Sequence, residues 1–92
     1  MAAVTIYTTL VCPYCVQAKR LLDRKGVAYD EIDVTHDPTR RQQMIQASGR
    51  RTVPQIFIGG VAVGGFSELS ALDRADKLRA ILAGDAAPPS VL

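Results

Sequence analysis

The chain has 92 residues, 48% of them hydrophobic, and its 11 Lys or Arg against 9 Asp or Glu give a net charge of +2. That length supports one domain around a single modest core. The near-balanced charge and the lack of a basic run interleaved with aromatics argue against a nucleic-acid partner, and no apolar stretch approaches the length that crosses a bilayer.

In chain order, the β-branched run Val4 to Thr8 predicts a first strand. A helical pattern follows Cys12 and ends at Lys25-Gly26, where glycine suits the position just past a helix. Val27 to Val34 alternates apolar and polar residues and predicts a second strand. Asp37-Pro38 reads as an N-cap with proline at the first helical position, opening a helix through Met44 and Ile45 to a stop near Gly49. Gln55 to Ile58 and Val61 to Val63 flank Gly59-Gly60, a two-residue hairpin signal. Ser67 then caps one helical region containing Leu69, Leu72, Leu78, Ile81 and Leu82. Residues 1–84 form the domain, and 85–92, with Pro88-Pro89, read as a frayed tail. The first crossover is long enough for a helix, which makes strands one and two parallel. The expected fold is α/β: a mixed four-stranded sheet flanked by helices on both faces. Tyr7, Leu21, Leu22, Ile56 and Phe57 fall on the core positions of this pattern.

Both cysteines lie in Cys12-Pro13-Tyr14-Cys15, between the first strand and the first helix. A helix N-terminus presents unpaired N–H groups and the positive end of a dipole, which favour an anion. A sulfur at Cys12 therefore ionises more readily than a free thiol, and the thiolate is the attacking species. Cys15, one turn further on and shielded by the helix, is placed to attack a mixed disulfide formed at Cys12. Cys12 is thus the candidate nucleophile and Cys15 the resolving thiol. Two blander readings are weaker. Closed structural zinc needs four ligands and only His36, expected as a solvated loop residue, remains on the chain, so zinc would require a dimer. A structural disulfide over so short a loop restrains little chain entropy. A reactive dithiol without other cysteines fits a reducing cytosol, and Met1-Ala2-Ala3-Val4 lacks the features of a secretory signal.

Thr52-Val53-Pro54 and Gly64-Gly65-Phe66-Ser67-Glu68 complete an ordered set of three motifs. With them the chain resembles the glutaredoxins, most closely their bacterial dithiol class, over roughly Val4 to Ala83. The resemblance implies a thioredoxin fold, glutathione as reducing cosubstrate with no bound cofactor, and reduction of protein disulfides and glutathione mixed disulfides. It implies a cis Pro54 facing the cysteines, with the Thr52-Val53 backbone pairing to the peptide part of glutathione. It also implies that free N–H groups around Gly65, Phe66, Ser67 and Glu68 hold the γ-glutamyl carboxylate, while the Glu68 side chain accepts from the adjacent ammonium. Tyr14 would line the glutathione groove. Relatives often carry lysine three residues before the first active cysteine; here that residue is Thr9, and Arg40 or Arg51 is the candidate for the glycine carboxylate. The partners implied are glutathione and disulfide-bearing or glutathionylated proteins, ribonucleotide reductase among them, acted on by a cytoplasmic monomer.

Two other functions share parts of this pattern. A redoxin served by thioredoxin reductase also has Cys-x-x-Cys, but usually an aromatic-rich sequence where this chain has Gly64 to Glu68. A dimer bridging a [2Fe–2S] cluster through one Cys12 per subunit and two glutathiones commonly carries a different motif around the first cysteine, and Pro13 stiffens this one.

Overall fold

The computed structural model describes residues 1–92. Its elements are β1 (Val4–Thr8), α1 (Pro13–Arg24), β2 (Asp30–Asp33), α2 (Pro38–Ser48), β3 (Gln55–Ile58), β4 (Val61–Gly64), α3 (Phe66–Arg74) and α4 (Leu78–Ala83). The strands form one sheet in the order β2-β1-β3-β4. β1 runs parallel to β2 and antiparallel to β3, and β3 and β4 form an antiparallel hairpin. This is the mixed four-stranded sheet expected from the sequence.

Alternation along the strands decides what faces what. Val4, Ile6, Ile56, Ile58 and Val63 join Ala18, Leu21 and Leu22 of α1, Leu69 of α3 and Leu78, Ile81 and Leu82 of α4 in one continuous core. The other face carries Tyr7 and Phe57, packed edge to face with ring centroids 5.5 Å apart. Tyr7 is only partly covered there. Met44 of α2 is fully buried outside the main cluster. The buried Thr8 hydroxyl donates to Glu31 at 2.7 Å, and Lys19 reaches the same carboxylate oxygen at 3.0 Å, tying β1, β2 and α1 together.

Three local features depart from the sequence expectations. β2 is shorter than Val27 to Val34 and begins at Asp30, because only Asp30 to Asp33 find partners in β1. The single C-terminal helical region is two helices. Asp76 takes a left-handed φ of 61° and the Lys77 N–H returns to the Leu72 carbonyl at 3.0 Å, closing α3 before α4 starts. Aspartate tolerates that conformation better than most side chains, so the break falls on it. The cap of α3 is Gly65, not Ser67. Glycine has no side chain to cap with, and what remains is the reciprocal half of a capping box, the Glu68 carboxylate accepting the Gly65 N–H at 2.7 Å. Residues 85–92 run back toward the sheet, and the Val91 N–H donates to the Ala62 carbonyl on the outer edge of β4 at 2.9 Å.

Candidate active site

Three segments meet at the carboxyl end of β1. Cys12 is the N-cap of α1 with Pro13 at the first helical position, as its fixed φ favours. Its sulfur accepts the Cys15 N–H at 3.1 Å. The two cysteines are joined as a disulfide, with Cα atoms 5.1 Å apart. Burial separates them: Cys15 is 2% exposed, while Cys12 remains partly open to solvent. An incoming sulfur therefore meets Cys12 first, and reduction leaves a thiolate there with the helix N-terminus and one N–H to stabilise it.

The second segment is the turn before β3. Val53-Pro54 is a cis peptide, and the Val53 carbonyl oxygen lies 3.8 Å from the Cys12 sulfur. The third is the β4–α3 junction, where Gly64 holds a φ of +107° and lets the chain pass directly from strand to helix. The first N–H groups of α3 have no intrahelical partner and open onto the same space.

Together these segments line a groove of about 320 Å³ bordered by Tyr14, Arg50, Thr52, Val53, Pro54, Gly65, Phe66, Ser67 and Glu68. The rings of Tyr14 and Phe66 stack across one wall at 6.1 Å. Tyr14 is 61% exposed, so most of its ring stays open to solvent or to a bound molecule. Eight of the nine residues are ones the motifs singled out. Arg40 does not line the groove; its guanidinium faces Asp37 one turn away, at 3.7 Å. Arg51 does not line it either, and its carbonyl is held by Arg41 at 3.1 Å. The cation on the rim is Arg50, which the sequence reading passed over. Its Nη1 meets Glu68 Oε1 at 2.9 Å.

Glu68 thus has two partners inside the fold, the Gly65 N–H and the Arg50 guanidinium. Burial pushes its carboxyl up, but the hydrogen bonds from the Gly65 N–H and Arg50 outweigh it, and the group sits below the usual glutamate value. A lowered folded pKa contributes stability above the ordinary carboxylate range, and that contribution is lost as pH falls through the folded value. Acidification should therefore loosen the start of α3. The protection factor of the Gly65 amide, whose N–H Glu68 accepts, should fall in that acid range in the wild type, whereas in Glu68→Gln it should show no such acid step.

A buried thiol behind an accessible one, at a helix N-terminus beside a cis proline, defines a thiol–disulfide oxidoreductase on a thioredoxin fold. A family model described as Glutaredoxin matches residues 4–63. Over 82 residues the chain is 51% identical to a glutaredoxin of Pseudomonas aeruginosa, covering 89% of this chain and 98% of that protein. It is 51% identical over 73 residues to glutaredoxin 3 of Escherichia coli K12, covering 79% and 88%. A solution structure of glutaredoxin from Brucella melitensis matches with a TM-score of 0.79 at 51% identity over 89% of each chain. A crystal structure of a buckwheat glutaredoxin–glutathione complex matches with a TM-score of 0.84 at 28% identity, covering 96% of this chain and 83% of that one. The chain belongs to the glutaredoxin family.

Proposed function

We propose that the groove beside Cys12 seats glutathione, and that the enzyme uses it to reduce glutathione mixed disulfides and protein disulfides. The observation that carries this reading is the convergence of a peptide-edge site (Thr52 to Pro54) and a helix N-terminus (Gly65 to Glu68) on one groove, with the Cys12 sulfur beside it, 3.8 Å from the Val53 carbonyl. Glutathione has a matching part for each: a peptide backbone, an α-carboxylate and a thiol. The unpaired Val53 N–H suits a peptide carbonyl, and the first N–H groups of α3 suit the γ-glutamyl carboxylate. Arg50 borders that end of the groove, paired there with Glu68. Tyr14 and Phe66 wall the middle of the groove.

With a glutathionylated substrate, the Cys12 thiolate attacks the glutathione sulfur in line. The substrate sulfur leaves as a thiolate and takes a proton from water, and Cys12 carries the glutathionyl group. A second glutathione thiolate attacks that sulfur, releasing glutathione disulfide and restoring the Cys12 thiolate. With a protein disulfide, Cys15 attacks the Cys12–substrate bond instead, and two glutathiones later reduce Cys12–Cys15. The chain itself needs no resident metal or organic cofactor for either route, and glutathione acts as cosubstrate. Glutathionylated and disulfide-bearing proteins are the partners, with ribonucleotide reductase as one such substrate. The enzyme works as a monomer in the reducing cytoplasm. No helix is long and apolar enough to cross a membrane.

Turnover of a small glutathione mixed disulfide, coupled to NADPH and glutathione reductase, tests this. Activity with glutathione and none with thioredoxin reductase is the expected result. The reverse result would make the chain a redoxin of the other kind.

Thr9 leaves the Cys12 thiolate without the side-chain ammonium that many relatives place nearby, and neither Arg40 nor Arg51 lines the groove to replace it. Introducing the charge should favour the thiolate. Thr9→Lys is expected to lower the Cys12 pKa measured by the pH dependence of alkylation in Cys15→Ser. No decrease would show that the charge cannot reach the sulfur.

A further inference from the structure

We propose that Gln55 is a positioning residue: its side-chain amide fixes the Thr52–Val53 peptide plane so that the Val53 N–H is presented to the peptide part of the substrate. Gln55 opens β3 and is 1% exposed in a strand whose other three residues are Ile56, Phe57 and Ile58. A buried amide in such a strand is costly unless its polar atoms are used. Its Nε2 donates to the Thr52 carbonyl at 2.9 Å and lies 3.3 Å from the Thr52 hydroxyl. Its Oε1 is the one buried side-chain polar atom in the fold with no partner. Turning the amide over would set its oxygen against the Thr52 carbonyl, two acceptors face to face, so the donor orientation is the one the turn permits. Only the donor half of this side chain is satisfied, and it is spent on Thr52.

The consequence follows from peptide geometry. Val53-Pro54 is the chain's cis bond, so Thr52–Val53 is trans, and in a trans peptide the C=O and N–H point in opposite directions. Holding the Thr52 carbonyl against the buried Gln55 amide turns the Val53 N–H outward. That N–H donates to no group in the fold, and Val53 lines the groove. The rest of the loop is tied separately: Ser48 Oγ accepts the Arg50 N–H at 3.1 Å, and Arg41 holds the Arg51 carbonyl. Gln55 is the side chain that sets the last plane before the cis proline.

This inference rests on the glutathione reading above, and the experiment separates the two. Wild type, Gln55→Met and Gln55→Leu are compared for KM and kcat with a small glutathione mixed disulfide, for alkylation of Cys12 by iodoacetamide, and for the residual dipolar coupling of the Val53 N–H. Methionine keeps the length and removes the donor; leucine removes it with a shorter, branched side chain that suits the apolar strand. Each variant should raise KM about fivefold to tenfold, the worth of one oriented hydrogen bond, with kcat changed less than about twofold. Alkylation should be unchanged, because iodoacetamide does not use the groove. The Val53 coupling should shrink as its plane loses its anchor. Wild-type KM and an unaltered Val53 coupling in either folded variant would overturn the proposal, and a lowered melting temperature alone would not rescue it. A wild type that turns over no glutathione mixed disulfide would overturn the functional reading itself. The Val53 coupling in Gln55→Met would then decide whether the amide sets the plane.

Discussion

Cys12→Ser is expected to abolish glutathione-dependent reduction, by on the order of a thousandfold or more, as removal of the nucleophile does in covalent catalysis. Cys15→Ser is expected to keep most activity toward glutathione mixed disulfides and to lose reduction of protein disulfides. The asymmetry comes from burial and from the helix. Cys12 caps α1 and is partly exposed, its sulfur 3.8 Å from the groove-lining Val53, whereas Cys15 is covered and can only reach a sulfur already bonded to Cys12. Neither change should unfold the chain, because Cys12 lies outside the main core and Cys15 is not part of the packed cluster. The check is the coupled assay run on the three proteins with a small mixed disulfide and with a disulfide-bearing protein. Equal losses in the two variants would mean that every turnover passes through Cys12–Cys15.

Gly64→Ala is expected to damage fold and site together. Gly64 holds a φ of +107°, outside the range that L side chains adopt. A Cβ there would sit 2.5 Å from Glu68 Oε1 and 2.9 Å from its Cδ and Cγ. The glutamate must move, and moving it breaks its bonds to the Gly65 N–H and to Arg50. Backbone strain and the lost cap should together destabilise the protein by about 2 kcal/mol, lowering Tm by roughly 10 °C in a domain this size. The KM for a glutathione mixed disulfide should rise several-fold, since the start of α3 borders the groove. Thermal unfolding and the coupled assay read the two effects. A variant with wild-type Tm and KM would show that Glu68 and the junction can re-form around the methyl group.

Much of this was readable from residues close in sequence. The dithiol, the proline at the first turn and the Thr-Val-Pro step each specify a local geometry, and the structure brings Cys12, Tyr14, Thr52 to Pro54 and Gly65 to Glu68 into one place. The hairpin at Gly59-Gly60 and the caps at Asp37 and Gly49 were readable for the same reason. What escaped depends on how the chain turns after an element ends. Arg50 and Arg51 are adjacent and chemically alike; the left-handed Gly49 and the bond from Ser48 decide that Arg50 faces Glu68. Ser67 is a strong cap by residue type, but β4 reaches Gly64 and α3 starts at once, which leaves the cap to Gly65 and its far partner Glu68. The break at Asp76 interrupts an apolar pattern that reads continuously, since Leu72 and Leu78 both face the helices' buried side. Gln55 looked like one more residue of an apolar strand, and its role needed the position of the Thr52 carbonyl.

The most direct measurement is the intact mass of Cys15→Ser after reaction with one equivalent of a glutathionylated peptide, quenched at low pH. A groove that seats the glutathione moiety directs attack to the glutathione sulfur, so the protein should gain one glutathionyl group on Cys12 and the peptide should leave as a free thiol. A protein carrying the peptide on Cys12, with glutathione released, would contradict this and would mean that the groove does not hold glutathione.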